Sequence, residues 1–505
     1  MKSNLLMLVA IMALGLGLRL LLINGGIDLD ESVTEYVSSS QTVSELIDRI
    51  VHFEFGPPLY FFLMMLWRKL TPDQAIYLAL PSLFFGMLLI PLTYLLAKKI
   101  TDSSKVALVA ALFCSISPLA LFYSHEARVY SLFSCLNASA AYFYIDWFKN
   151  KKITSLVSFS CLICFIAYTH YLGFFFLGLL GLAGLFFSLV QKQTKDFFKT
   201  IPLFFLPAAL FIPWLPNMSL HLSAGTYWVE RTPFSQWWQV IASNTAALTP
   251  VPWVLGAFLS IPLLIVIFFV WLKKKIELDK SNIAFLLAIL IPPVFLLGYI
   301  TPFILGYCRY MMPFAPFGFV LWAILITNKM KTKTMLALLV VLGLCNAFEA
   351  RSLGSLDRSG LRQLAHDMND KKFGQCLYLI LPDFDTYTLR YYLRTEAKNN
   401  SDYQLVSFPN LDMQHPTPHH GYAATWTDKD NVQKLFDFLQ QSSQKNLVVI
   451  RDPAVLESSK MPAKSRIDQV MKRLASTYER TGDIIEYKAK GRSFFVERFD
   501  LSSNK

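Results

Sequence analysis

Through the first 350 residues, long apolar runs alternate with short polar connections, a pattern that predicts helices packed in or against lipid. A hydrocarbon core of about 30 Å needs about 20 apolar residues per crossing helix. Runs of that kind occur at 5–23, 75–97, 105–123, 129–148, 153–171, 172–190, 199–215, 251–272, 281–300, 309–327 and 334–348. About eleven transmembrane helices are therefore expected over residues 1–348. The run 57–67 (PPLYFFLMMLW) is as apolar but too short, and its Pro57-Pro58 start predicts a helix lying in the membrane interface. The first run has only Lys2 ahead of it and no clear small-x-small cleavage site before Gly25, so it is read as a retained helix rather than a signal peptide. After residue 348 charges become dense and apolar groups short. The groups 376–381 (CLYLIL) and 446–450 (NLVVI) predict strands, and amphipathic stretches at 358–369, 431–441 and 465–475 predict helices beside them. Residues 349–505 are thus expected to form a small α/β domain.

The lysines orient the chain. Lys98, Lys99 and Lys105 share one connection, Lys149, Lys151 and Lys152 the next but one, and Lys192, Lys195 and Lys199, Lys273 to Lys275, and Lys329, Lys331 and Lys333 continue the alternation. Connections enriched in this way face the cytoplasm. Residues 24–56 belong to the opposite set, with seven acids against the single base Arg49. With eleven crossings, the C-terminal domain is also extracytoplasmic. Composition agrees with a multi-pass protein of the inner or plasma membrane: 54% of residues are hydrophobic and 16% charged, against about 25% charged in soluble domains. The net charge of +12 resides largely in the loops that set topology, so a nucleic-acid partner is not implied. Cys114, Cys135, Cys161, Cys164 and Cys345, of seven cysteines, lie inside apolar runs and imply no disulfide framework. The Cys161/Cys164 pair reads as one turn of a buried helix rather than as a redox or metal dithiol.

Ionisable groups at membrane depth are costly and mark function. On the outer face these are Asp30 and Glu31 in the first loop, His125, Glu126 and Arg128 between the third and fourth spans, His170 with Tyr171 between the fifth and sixth, and Arg309 at the start of the tenth. Arg19, near the outer end of the first span, either snorkels or adds positive charge. A carboxylate can serve as general base toward an acceptor hydroxyl, while Arg and His stabilise a departing phosphate. At the outer leaflet this combination suits a lipid-linked phosphate donor, a geometry for sugar transfer. The competing class is a transporter or flippase, which would tend to show repeated halves and ionisable groups near the midplane. No half-repeat is visible.

Six segments fall in an order that resembles a known family: LDES at 29–32, GPPLYFFLMMLW at 56–67, ISPLALFYSHEARVYSL at 116–132, YTHYLG at 168–173, YWVERTP at 227–233 and RYMMPFAP at 309–316. Over about residues 10–320 the chain resembles the GT-C fold glycosyltransferases that use lipid-phosphate sugars, in the branch of protein O-mannosyltransferases and lipid A aminoarabinose or galacturonic acid transferases. The resemblance implies transfer from a polyprenyl-phosphate sugar to a lipid, glycan or protein acceptor, and direct attack by an acceptor hydroxyl at the anomeric carbon would invert its configuration. The resemblance makes Asp30 the catalytic carboxylate and Glu31 a support for the loop or the acceptor, and puts Glu126 and Arg128 near donor phosphate or metal. His170, Tyr171 and Arg309 are further candidates for phosphate contact, and Tyr227 and Trp228 for the acceptor or its loop. Where the family often has His before the two prolines this chain has Gly56, and His52 is the candidate substitute. A divalent ion such as Mg or Mn is compatible but not demanded, because arginine alone can neutralise a monophosphate.

Overall fold

A computed structural model describes residues 2–23, 26–224, 233, 235, 237–250, 279–300, 309–329, 339–346, 348, 360–396, 403–411, 428, 430–452, 462–489 and 492–504. Helix α1 (Lys2–Leu22) is followed by three short helices, α2 (Leu29–Ser38), α3 (Val43–Phe53) and α4 (Leu59–Arg68). The helical bundle continues with α5 (Ala75–Thr101), α6 (Ser104–Ile116), α7 (Pro118–Tyr123), α8 (Tyr130–Asn150), α9 (Ile153–Thr169), α10 (Leu172–Val190) and α11 (Thr194–Phe211). Beyond a 3-10 turn at Ile212–Trp214 come α12 (Leu215–Ala224), α13 (Trp237–Ala247) and α14 (Lys280–Ile300), then a second 3-10 turn, Arg309–Phe314, leading into α15 (Ala315–Lys329). Among the described residues five helices are long and apolar enough to cross a membrane: Lys2–Leu21, Ala75–Thr101, Leu172–Val190, Thr194–Ser223 and Arg309–Thr327. The expected span 251–272, and residues 334–338 and 347 of the expected span 334–348, lie outside the described residues.

Local chemistry explains where these helices depart from uniform spans. The run 105–123 is two helices, because Pro118 has no N–H to continue the α6 ladder and instead opens α7 behind the Ser117 cap. Helix α4 has ten residues, which at about 1.5 Å per residue spans only half the hydrocarbon core. Helix α8 is less apolar than its neighbours, and most of its side chains are buried by protein. Interior helices need not match lipid. In contrast, α1 exposes Leu5, Leu6, Val9, Leu20 and Leu21. Close approach relies on small residues: a Cβ at Gly86 of α5 would lie 2.8 Å from the Cβ of Ser124.

The connections sort to two ends of the bundle. At one end Lys149 donates to the Lys99 carbonyl (2.6 Å), Lys151 pairs with Asp196 (2.8 Å) and Gln191 bonds Ser281 (2.9 Å). The lysine-rich loops described here therefore share one end. At the other end lie α2, the loop 124–129, His170 and Arg309.

The C-terminal α/β unit contains α16 (Leu361–Asn369), β1 (Leu377–Leu381), α17 (Thr386–Glu396), β2 (Gln404–Ser407), α18 (Asn431–Gln441), β3 (Asn446–Arg451), α19 (Pro462–Thr477), β4 (Tyr478–Arg480), β5 (Ile485–Ala489) and β6 (Arg492–Asn504). The sheet order is β2-β1-β3-β6-β4, with β5 also on β6. Strands β2, β1 and β3 are parallel, and β6 runs antiparallel to β3, β4 and β5. Period-two alternation gives the parallel strands two apolar faces. Leu377, Leu379, Leu447 and Val449 pack with Val432, Leu435 and Ile467. Tyr378, Ile380, Val448 and Ile450 join the other cluster with Leu364, Leu389 and Tyr392.

Candidate active site

The site begins with how α2 starts. Asp28 caps the helix through its carboxylate, which accepts the Leu29 N–H at 2.6 Å, and Glu31 reaches back to the Asp28 N–H at 3.0 Å, closing a capping box. The second Glu31 oxygen accepts the Ala127 N–H at 2.9 Å. Glu31 is thus buried and committed, binding the first loop to the 124–129 loop. Asp30, held between these anchors, presents a side chain that is 43% exposed and forms an ion pair with Arg309. Carboxylates at a helix N-terminus are also favoured by its dipole.

Arg128 sits beneath this pair. Its guanidinium grips Glu54 at 2.7 and 3.2 Å and also donates to the Asp30 carbonyl and Thr34 Oγ1, both at 3.0 Å. Burial alone would push the Glu54 carboxyl up, but the charge and paired hydrogen bonds of Arg128, with the Phe55 N–H, hold it below the usual carboxylate range. A fork against a carboxylate is the strong form of such a pair. Glu126 is half-buried beside it, and its carbonyl accepts the Arg128 N–H at 2.7 Å.

His170, between α9 and α10, stacks on Phe133 (5.5 Å between centroids) and faces Tyr310 (5.9 Å) and Tyr130 (6.2 Å). Its Nδ1 accepts the Leu172 N–H at 3.0 Å, which places the ring proton on Nε2.

Other candidates lie elsewhere. The Tyr171 hydroxyl bonds His221 Nδ1 (2.7 Å) and Trp214 Nε1 (3.1 Å), while His221 Nε2 meets the Val51 carbonyl (3.1 Å). Tyr171 therefore braces α3 against α12 and is not joined to Arg309. The His52 Nδ1 lies 2.8 Å from the Asp48 carbonyl of its own helix. Arg19 does not snorkel: it is fully buried, donating to Ser124 Oγ (2.9 Å) and the Gly15 and Ser115 carbonyls (3.0 and 3.2 Å), and its own carbonyl meets His125 Nε2 (2.7 Å). Protein carbonyls replace water here, because Gly15 lets α5 and α6 close over the stem. Arg19 and His125 thus fasten the 124–129 loop to α1. Tyr227 and Trp228 lie outside the described residues. Among the described residues, no three of His, Cys, Asp and Glu converge as a metal-ligand set.

The structure thus joins Asp30, Glu31, Arg128, His170 and Arg309 around Tyr130 and Tyr310. Glu54 and Thr34 also belong to this group and were not singled out by sequence. The one hint was an acid set between Phe53 and Phe55 in an otherwise apolar approach to Pro57.

Comparison with known proteins bears on this cluster. Residues 56–220 match the family described as dolichyl-phosphate-mannose-protein mannosyltransferase. The crystal structure of ArnT from Cupriavidus metallidurans in the apo state superposes with a TM-score of 0.64 at 11% identity, covering 97% of both chains. The same protein bound to undecaprenyl phosphate gives 0.61 at 12% identity, again over 97% of each. The chain has a GT-C glycosyltransferase fold. The archaeal oligosaccharyltransferase AglB from Archaeoglobus fulgidus, in complex with an inhibitory peptide and a dolichol-phosphate, matches at 0.52 and 11% identity over 98% of this chain and 74% of that one. No curated protein matches in sequence.

Proposed function

We propose that this chain is a multi-pass membrane glycosyltransferase that takes a sugar from a polyprenyl phosphate and delivers it to an extracytoplasmic lipid, glycan or protein, with residues 1–348 forming the catalytic domain and 349–505 a domain docked on it. The observation that carries this is the half-exposed Asp30 carboxylate paired with Arg309 beside His170, Tyr130 and Tyr310, at the end of the bundle opposite the lysine-rich loops. The similar structures named for their undecaprenyl phosphate and dolichol-phosphate support that type of lipid as the donor's carrier.

In the donor-free state Arg309 and Asp30 neutralise each other. A donor monophosphate competes for the guanidinium, and Asp30 is then released to accept the proton of the acceptor hydroxyl. The acceptor oxygen bonds the anomeric carbon as the bond from that carbon to the phosphate oxygen breaks, inverting the configuration and expelling polyprenyl phosphate. Arg309 takes up the charge that develops on the leaving group, in surroundings drier than bulk water. His170, whose Nδ1 is occupied by the Leu172 N–H, can add a hydrogen bond from Nε2.

Sealed vesicles test both reaction and side. Right-side-out membrane vesicles given a short-chain polyprenyl-phosphate sugar from outside should label an acceptor, and inside-out vesicles should not. Labelling confined to inside-out vesicles would place the site at the lysine-rich end and contradict the proposal.

A further inference from the structure

We propose that α17 of the C-terminal unit is a positioning element for the reaction, holding the Asp30 segment in register through Tyr392, Thr388 and Arg394. Three contacts carry this. The Tyr392 hydroxyl accepts the Ile27 N–H at 2.8 Å and donates to the Ile27 carbonyl at 3.0 Å, clamping both polar groups of a residue three positions ahead of Asp30. Thr388 Oγ1 meets Ser32 Oγ at 2.9 Å, two positions beyond it. One turn further, Arg394 pairs with Glu35 at 2.7 Å and with Asp73 at 3.1 Å, and Arg68 closes the same network at 2.6 and 3.0 Å.

The segment is therefore fixed on both sides of the carboxylate by one helix that is far away in sequence. Tyr392 is fully buried, and its ring belongs to the core that α17 shares with α16 and the sheet. A clamp rooted in that core cannot shift without the unit shifting too. The capping box and Ala127 fix the helix start from the membrane side, and α17 fixes it from above, which leaves the Asp30 side chain little freedom beyond its rotamers. Reacting groups misplaced by about 1 Å can lose about 10²-fold in rate. Two packed bodies sharing a reactive loop also give the C-terminal unit a route to influence transfer, through displacement of α17.

The inference rests on Asp30 being the proton acceptor, and the test separates the two. Tyr392→Phe keeps the ring and removes both bonds to Ile27. It should lower kcat for transfer about 10- to 100-fold while the donor KM stays within about twofold, since no donor contact is removed. Hydrogen exchange of residues 27–38 should accelerate in this variant, with the rest of the bundle unchanged. Thr388→Val, of equal shape but without the hydroxyl, should show a smaller change of the same kind, and Thr388→Ser should restore normal values. If Tyr392→Phe does not fold, the Thr388 pair decides by the same split. Normal kcat and normal exchange at 27–38 in the variants, while Asp30→Asn is inactive, would overturn the positioning role. Near-normal transfer by Asp30→Asn would instead remove Asp30 as the base, and the exchange measurement would still decide whether α17 holds the segment.

Discussion

Asp30→Asn should cut sugar transfer by about 10²- to 10⁴-fold, the usual worth of a general base, without weakening donor binding. Asparagine keeps the size of the side chain and a carbonyl toward Arg309, but it cannot take a proton. Because the carboxylate competes with donor phosphate for Arg309, its removal frees the guanidinium, and donor affinity should hold or rise. Folding should be little affected, since the pair is exposed by a third or more on each side and such pairs contribute about 0–1 kcal/mol. Glu31→Gln should behave differently. Its carboxylate holds two backbone N–H groups, so the loss should appear chiefly in stability. Arg309→Ala should weaken donor binding, and Arg309→Lys should recover part of it, because an ammonium keeps the charge but loses the planar fork.

The largest stability effect is expected at Glu54. Arg128 and Glu54 are nearly buried, with side-chain exposures of 12% and 11%. Removing one partner of such a pair leaves an uncompensated charge and costs about 3–5 kcal/mol. Glu54→Gln should therefore lower the melting temperature sharply in detergent. Replacing both, as in Glu54→Leu with Arg128→Met, should recover much of the stability, because the buried charge has gone. Transfer should remain impaired in the double variant, since Arg128 also holds the Asp30 carbonyl and Thr34. A single variant that melts like the parent would show that the pair is solvated and has no part in shaping the first loop.

Much of the fold could be read from sequence because lipid imposes a simple code of length and hydrophobicity. Lysine spacing anticipated the end shared by the connections around 99, 149, 193 and 281, and α18 falls on the amphipathic stretch 431–441. Strands β4, β5 and β6 were not foreseen: IEYKA is short and nearly half charged, and SFFVERFDL puts Glu497 and Arg498 on opposite faces, which breaks the apolar-polar alternation expected of a strand. Helix α17 (TYTLRYYLRTE) was hidden too, because aromatic and β-branched residues weaken the helical signal. At the site, Asp30, Glu31 and the segment around Arg128 stood out as charges beside lipid. Their partners did not. Glu54 lies 74 positions from Arg128 and Tyr392 lies 365 from Ile27, and sequence spacing carries no record of such contacts. The burial of Arg19, which rules out snorkelling, was hidden for the same reason, since it depends on α5 and α6 closing around Gly15.

Single-turnover transfer by purified protein, with a defined polyprenyl-phosphate sugar and a hydroxyl acceptor, tests the central claim most directly. The parent protein should release one polyprenyl phosphate for each sugar transferred, with the anomeric configuration inverted, and Asp30→Asn should slow that step at saturating donor. Donor bound and left intact, a product of retained configuration, or equal single-turnover rates in the two proteins would contradict direct displacement assisted by Asp30.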